Sequence, residues 1–255
     1  MSYTLSPENQ TFSISVKADR LAFGDTVLFE HIAFDLPAGE WTCLLGPSGV
    51  GKTTLLRLIA GLIPSAENIS AHCSDELPLQ GRTAYMAQQD LLMPWLSALE
   101  NIMLGAKLRN QTPEKDRAHD LLARVGLSAN ANDLPSKLSG GMRQRVALAR
   151  TLMEDRPVVL MDEPFSSLDA ISRIRIQEMA AELLADRTVL LVTHDPLEAL
   201  RLGDRIHVMS GRPVILDAPL QPSGTRPRDL HDPELLKGQA DLLERLAQAD
   251  RQVAS

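Results

Sequence analysis

Cysteine is scarce, with two residues, Cys43 and Cys73, in a chain of 255. Two thiols without a C-x-x-C spacing build neither a disulfide framework nor a zinc site. Positive charge is also in short supply. The 26 Lys and Arg are outnumbered by 33 Asp and Glu, for a formal net charge of −7. That balance excludes general attraction to a nucleic-acid backbone as the basis of function, so no nucleic-acid partner is expected. No apolar run approaches the roughly 20 residues that a membrane-spanning helix needs. Residues 1–10 are polar and lack the apolar core of a signal segment. Repeats and coiled-coil heptads are missing as well. What remains is a globular composition, 44% hydrophobic and 23% charged, in a chain long enough to bury a substantial core. The expectation is a soluble, cytoplasmic protein that reaches a membrane only through partners.

The most informative stretch is Gly46-Pro47-Ser48-Gly49-Val50-Gly51-Lys52-Thr53-Thr54, which fits the phosphate-loop pattern G-x-x-x-x-G-K-[ST]. Trp41–Leu45 before it reads as a short buried strand, and Leu55–Ala60 after it as a helix with an apolar face. That strand–loop–helix context is what the pattern requires. The glycines let backbone N–H groups turn inward around phosphate oxygens. The helix N-terminus adds partial positive charge beneath them. Lys52 is expected at the β- and γ-phosphates, with Thr53 on Mg²⁺.

Around this loop the chain alternates strands and helices. Residues 1–13 form a polar tail. Phe12–Leu21 and His31–Leu36 read as strands on either side of a turn at Phe23–Thr26. Phe23 is a candidate to stack on an adenine ring, the local alternative being a buried core phenylalanine. Residues 62–82 are polar and read as loop with one short strand. Thr83–Ala87 is a strand, followed by Gln88-Gln89-Asp90 and an apolar run, Leu91–Leu96, broken by Pro94. Helices over 98–108 and 113–125 come next without strands among them, which suggests a helical subdomain of about 90–155 inserted into an α/β body. Ser139 suits the N-cap of a helix running to Met153, with Gly140 and Gly141 leaving amides exposed at its positive end.

Pro157–Asp162 is an apolar strand of the kind buried in parallel sheets, and it ends in Asp162 and Glu163. An isolated acidic pair is usually a solvated turn. Here it caps a buried strand downstream of a phosphate loop, where Mg²⁺-ATP chemistry takes place. Asp162 is expected to hold the metal through water and Glu163 to polarise the attacking water. A helix over 171–186 and a second apolar strand, Thr188–Val192, place His194 at the same sheet edge, within reach of a γ-phosphate and its attacking water. Two further strands, 205–209 and 213–217, precede an extension, 218–255, that contains an amphipathic helix over 235–248.

In this order, the phosphate loop, the Leu138-Ser-Gly-Gly-Met-Arg-Gln-Arg145 run, the Val158–Pro164 strand end, Ser167-Leu168-Asp169 and His194 resemble the nucleotide-binding subunit of ATP-binding-cassette transporters over residues 14–217. The resemblance implies an α/β fold: a P-loop NTPase core with a parallel sheet, an N-terminal antiparallel β patch and the inserted helical subdomain. It implies an ATPase using ATP and Mg²⁺. It also implies a head-to-tail homodimer in which each nucleotide lies between the phosphate loop of one copy and Ser139, Gly140 and Gly141 of the other. Asp169 falls in the family's D-loop. Gln88 matches the metal-sensing glutamine of the Q-loop, with Gln89 its rival, and joins Thr53 and Asp162 at the metal. Phe23 stands where the family more often has an adenine-stacking tyrosine.

The glutamine turn followed by Leu91–Trp95 resembles the subgroup importing nitrate, sulfonates, taurine or thiamine pyrimidine precursors. Partners implied are transmembrane permease subunits, a periplasmic or extracellular solute-binding protein and a second copy of the chain, at the cytoplasmic face of the inner membrane. Residues 62–82 depart from the family pattern. A cassette ATPase acting on DNA or ribosomes is the competing class. It commonly carries coiled coils, zinc sites or a second cassette, none of which is found here. A small-molecule kinase would leave the Leu138–Gly141 run and His194 unexplained.

Overall fold

The computed structural model describes residues 11–23, 26–63 and 69–254. Strands β1 (Ile14–Phe23) and β2 (Thr26–Leu36) pair antiparallel, with a register shift at Leu21/Ala22. β3 (Trp41–Leu45) runs through the glycine loop into α1 (Lys52–Ile59). Among the described residues of 62–82, β4 (Ile69–Cys73) is the one short strand, and it pairs antiparallel with the other side of β1, Ile14 opposite Cys73. The small sheet thus has the order β2-β1-β4.

β5 (Thr83–Met86) begins the second sheet. Four α-helices precede the next strand: α2 (Ala98–Ile102), α3 (Leu104–Leu108), α4 (Lys115–Arg124) and α5 (Gly140–Met153). The single helix expected over 98–108 is broken at Met103, which has ψ near 0° and ends α2. The break lets α3 ride close on the end of α5. A Cβ at Gly105 would clash with the Glu154 carboxylate, and Arg109 pairs with that same carboxylate. α2 itself starts from a reciprocal cap between Ser97 and Glu100. Its Asn101, fully buried, donates to the carbonyls of Met93, Leu96 and Ser97 and so anchors the preceding apolar run.

β6 (Val158–Asp162), α6 (Ala170–Leu183), β7 (Thr188–Thr193), α7 (Pro196–Leu202), β8 (Arg205–Ser210), β9 (Ile215–Leu216) and α8 (Pro233–Ala254) complete the chain. The larger sheet has the order β5-β6-β7-β3-β8-β9, parallel from β5 to β8 with β9 antiparallel at the edge. Its central strands are buried on both faces, which is why they read as unbroken apolar runs. Alternation sorts their side chains between two cores. Trp41, Cys43, Leu45, Val159, Met161, Val189 and Leu191 face the core shared with α2, α4, α5, α6 and α7. Leu44, Val158, Leu160, Leu190 and Val192 face the core shared with α1 and the small sheet. The segment after β9 is fastened to the body by Arg228. Its guanidinium is buried and donates to the carbonyls of Leu200, Gly203, Pro222 and Ser223. Among the described residues, no helix is long and apolar enough to cross a membrane.

Candidate nucleotide site

The parallel order β5-β6-β7-β3 decides the site. All four strands end at one edge of the sheet, so the residues just past each strand meet there. Gln88 comes after β5, Asp162 ends β6 with Glu163 just past it, His194 comes after β7, and the glycine loop after β3. The registers hold the ends level, with Asp162 opposite Val192 and Leu45 opposite Thr193.

The loop has the backbone its glycines permit. Gly49 has φ 78° and Gly51 φ 112°, a region open to glycine and costly for residues with a Cβ. A Cβ on Gly51 would also lie 3.1 Å from the Phe29 ring. α1 starts from Gly51 with no side-chain cap, which leaves its first amides for a ligand. Lys52 is almost fully buried, and its Nζ donates to the carbonyls of Gly46 at 2.8 Å and Pro47 at 2.9 Å. Burial holds its pKa below the ordinary lysine value, against the opposing pull of Glu163 and Asp162.

Thr53 donates to Asp162 Oδ1 at 3.1 Å. Asp162 Oδ2 is buried and has no hydrogen-bond partner. Burial raises the Asp162 pKa, Thr53 lowers it and the neighbouring Glu163 raises it further. An orphaned carboxylate oxygen beside a hydroxyl is an all-oxygen donor set, which suits a hard divalent cation such as Mg²⁺. The residues present therefore fit that ion.

Glu163 takes φ 47°, rare for a residue with a side chain, while its N–H donates to Val192 O at 2.9 Å. Its Oε2 accepts from Gln88 Nε2 at 3.2 Å and lies 3.1 Å from His194 Nδ1. The β5 end thus brings Gln88 to Glu163; Gln89 is exposed beside it. Phe23 ends β1, and its side chain lies outside the described residues.

Ser139, Gly140 and Gly141 are not drawn into this cluster. Ser139 caps α5 by accepting from Met142 N–H at 3.2 Å, and Ser139 and Gly140 are exposed. Among the described residues no hydrogen bond joins them to the glycine loop. Asp169 likewise caps α6, accepting from Ser172 N–H at 3.0 Å, which lowers its pKa. α5 is nevertheless tied to the site's edges. Gln144 donates to Pro164 O at 3.1 Å, and Arg143 Nε donates to Asp90 at 2.8 Å. Arg150 donates to the carbonyls of Asp90 and Leu91. These arginine ties escaped sequence reasoning because their partners are about 53–60 residues away and mostly backbone carbonyls, which no side-chain pattern marks.

The ABC transporter family model matches residues 29–166. The chain belongs to the ABC transporter family. The cassette is 47% identical over 231 residues to an uncharacterized ABC transporter ATP-binding protein of Haemophilus influenzae, covering 89% of this chain and 95% of that protein. It is 42% identical over 237 residues to the aliphatic sulfonates import ATP-binding protein SsuB 1 of Rhodococcus jostii, covering 91% and 93%. It also resembles the solved dimeric, post-hydrolysis state of the ATP-binding cassette MJ0796 bound to ADP and Pi. There the TM-score is 0.71 at 27% identity, covering 83% of this chain and all of that one. The cassette is an α/β ATPase that binds and hydrolyses ATP, as the recurring motifs implied.

Proposed function

We propose that this cassette is the ATP-hydrolysing motor of an importer for aliphatic sulfonates. It works as a pair of identical copies on the cytoplasmic face of a membrane, beneath a separate permease fed by a solute-binding protein. The observation that carries the hydrolytic part is the placement of Glu163 between Gln88 and His194. One carboxylate held from two sides is suited to orient a water for in-line attack. Lys52 and the uncapped start of α1 take the β- and γ-phosphates, with Gly46–Thr54 wrapping them. Thr53, Asp162 and Gln88 would hold Mg²⁺, which would spread the phosphate charge. His194 and Gln88 keep Glu163 aimed, and Phe23 supplies the adenine platform.

Pairing is supported by the start of α5. Gly140 has ordinary helical geometry and open space around it, since a Cβ there would meet only Arg143 at 3.9 Å. Nothing among the described residues asks for glycine at that point. A second copy's nucleotide, approaching Ser139–Gly141 closely with Asp169 nearby, supplies the reason. Permease docking is supported by Leu91 and Trp95, 53% and 71% exposed in the run just after Gln88. The sulfonate class rests on relatives such as the Rhodococcus jostii protein.

The test is reconstitution with the cognate permease and solute-binding protein, scored by uptake of a radiolabelled alkanesulfonate. ATP-dependent uptake is expected. Trp95→Ser is expected to abolish uptake while the isolated subunit keeps its ATPase rate. Uptake of nitrate or a thiamine pyrimidine precursor in place of the sulfonate would overturn the solute class. Full uptake with Trp95→Ser would remove the docking surface.

A further inference from the structure

We propose that Arg173 is a positioning residue: one guanidinium locks the Ser166–Asp169 loop to the His194–Asp195 turn and so fixes both about Glu163. Arg173 lies in the first turn of α6, where its N–H donates to Asp169 O at 2.8 Å. Its side chain folds back over the loop. Nη2 donates to Leu168 O at 3.1 Å, and Nη1 faces Asp195 Oδ2 at 3.5 Å. Asp195 divides its carboxylate between two duties. Oδ1 caps α7, accepting from Leu197 N–H at 2.9 Å, while Oδ2 is left for Arg173. Asp195 N–H also donates to Thr193 Oγ1 at 3.0 Å, which closes the turn that carries His194.

Each end of this clamp touches Glu163. On one side His194 Nδ1 is 3.1 Å from its carboxylate. On the other, Ser166 Oγ donates to the Glu163 carbonyl at 3.0 Å, and the same loop carries Ser167, whose carbonyl would stand 3.4 Å from a Cβ on Gly141. A drift between the loops therefore moves His194 relative to Glu163, and the D-loop relative to the start of α5. It leaves untouched the contacts of Lys52 and Thr53.

Stability alone does not explain the residue. A cation in the first turn of a helix opposes the helix dipole. The Arg173 Nε is moreover buried without a hydrogen-bond partner, which is unfavourable. Only a planar fork donates in two fixed directions at once, and a lysine does not. The inference rests on the assignment of Glu163 and His194 to the hydrolytic centre.

The experiment compares Arg173→Met, Arg173→Lys, Asp195→Asn and the Arg173→Met/Asp195→Asn double variant in the full chain, by steady-state ATPase and thermal melting. Asparagine caps a helix as well as aspartate, so Asp195→Asn removes the charge facing Arg173 and spares α7. A loss of about tenfold in kcat is expected for Arg173→Met, of the size that small misplacements of reacting groups produce. The KM for ATP should stay within about twofold of wild type if phosphate binding is untouched. Arg173→Lys should recover only part of the loss, and the double variant should lose no more than Arg173→Met alone. Wild-type kcat in Arg173→Met or in Asp195→Asn overturns the proposal. So do multiplicative losses in the double variant, or a fall in kcat that comes with equal changes in KM and melting temperature. If Arg173→Met does not fold, Asp195→Asn decides alone, and failure of both to fold assigns the clamp to structure. Glu163→Gln, run alongside, tests the underlying assignment separately: near-normal hydrolysis there would move the catalytic base elsewhere without bearing on the Arg173 comparison.

Discussion

The phosphate loop and the start of α5 are both glycine-rich entries into helices, and the chain treats them in opposite ways. At the phosphate loop the glycines are demanded from within. Gly49 and Gly51 have left-handed φ, and Gly51 lies against Phe29. The helix start there is uncapped. Lys52 turns onto the carbonyls of Gly46 and Pro47, and Thr53 is engaged by Asp162. At α5 the helix start is capped by its own Ser139, and Gly140 has room for a side chain. One region has its glycines fixed by contacts made within this chain. The other is finished as a helix end and still carries a glycine, Gly140, for which the described residues give no reason. Glycine in a helix costs about 0.5–1 kcal/mol relative to alanine. The difference teaches that a residue's reason can lie outside the chain, and that absence of an internal reason is itself a signal.

The largest expected break in the comparison comes from the assembled half. On the proposed reading, Lys52→Ala removes the buried cation that would face the β- and γ-phosphates in a largely dry site. It should lower ATPase activity about a hundredfold or more, read by phosphate release at saturating ATP. A rate within a few-fold of wild type would contradict the assignment.

The next test joins the two regions. Glu163→Gln should bind ATP yet hydrolyse it very slowly, while Asp162 and Thr53 still hold Mg²⁺. ATP then accumulates as the link between copies, and pairing becomes coupled to nucleotide by mass action. Size-exclusion chromatography of Glu163→Gln should show a dimer only with Mg²⁺-ATP. Adding Ser139→Glu places a carboxylate toward the partner's γ-phosphate and should return the protein to monomer. A dimer indifferent to ATP or to Ser139→Glu would mean that α5 faces something else.

The smallest effect is the sharpest discriminator. Gly51→Ala should cost about 1–3 kcal/mol, because its φ is closed to alanine. Gly140→Ala should instead stabilise the isolated chain by about 0.5 kcal/mol, while weakening the ATP-dependent dimer. Urea unfolding of the two variants measures the first pair of numbers, and size-exclusion chromatography measures the last. If Gly140→Ala destabilises the monomer, its glycine has an internal reason after all.

Legibility went with locality. The phosphate loop was readable from the spacing of its glycines and Lys52, and the acidic strand end and the His194 strand because each is a continuous apolar run with polar residues at its end, the mark of a strand buried on both faces. β4 was nearly invisible: Ile69-Ser-Ala-His-Cys73 becomes a strand by pairing with β1, not by its own pattern. The break at Met103 was hidden for a similar reason, since the stretch from Ala98 to Leu108 carries no proline or cap to mark it, and the contact of α3 with Glu154 that accompanies the break lies about 50 residues further on. Between Gln88 and Gln89, spacing argued for the first, and the end of β5 places that one at Glu163.

Read alone, the sequence determined the elements, their order and the chemistry held within single segments. Backbone freedom at glycine, a buried strand and a capping side chain all act over a few residues. Tertiary structure decided what meets. The strand order β5-β6-β7-β3 brings together Gln88, Glu163, His194 and Lys52, which are separated by 31 to 75 residues along the chain from one to the next. It also decided that Arg173 reaches two loops at once and that α5 keeps its glycines apart from its own phosphate loop. Those outcomes depend on sheet order and long-range packing, and the free energies that set them are shared among distant residues, so no short stretch of sequence records them.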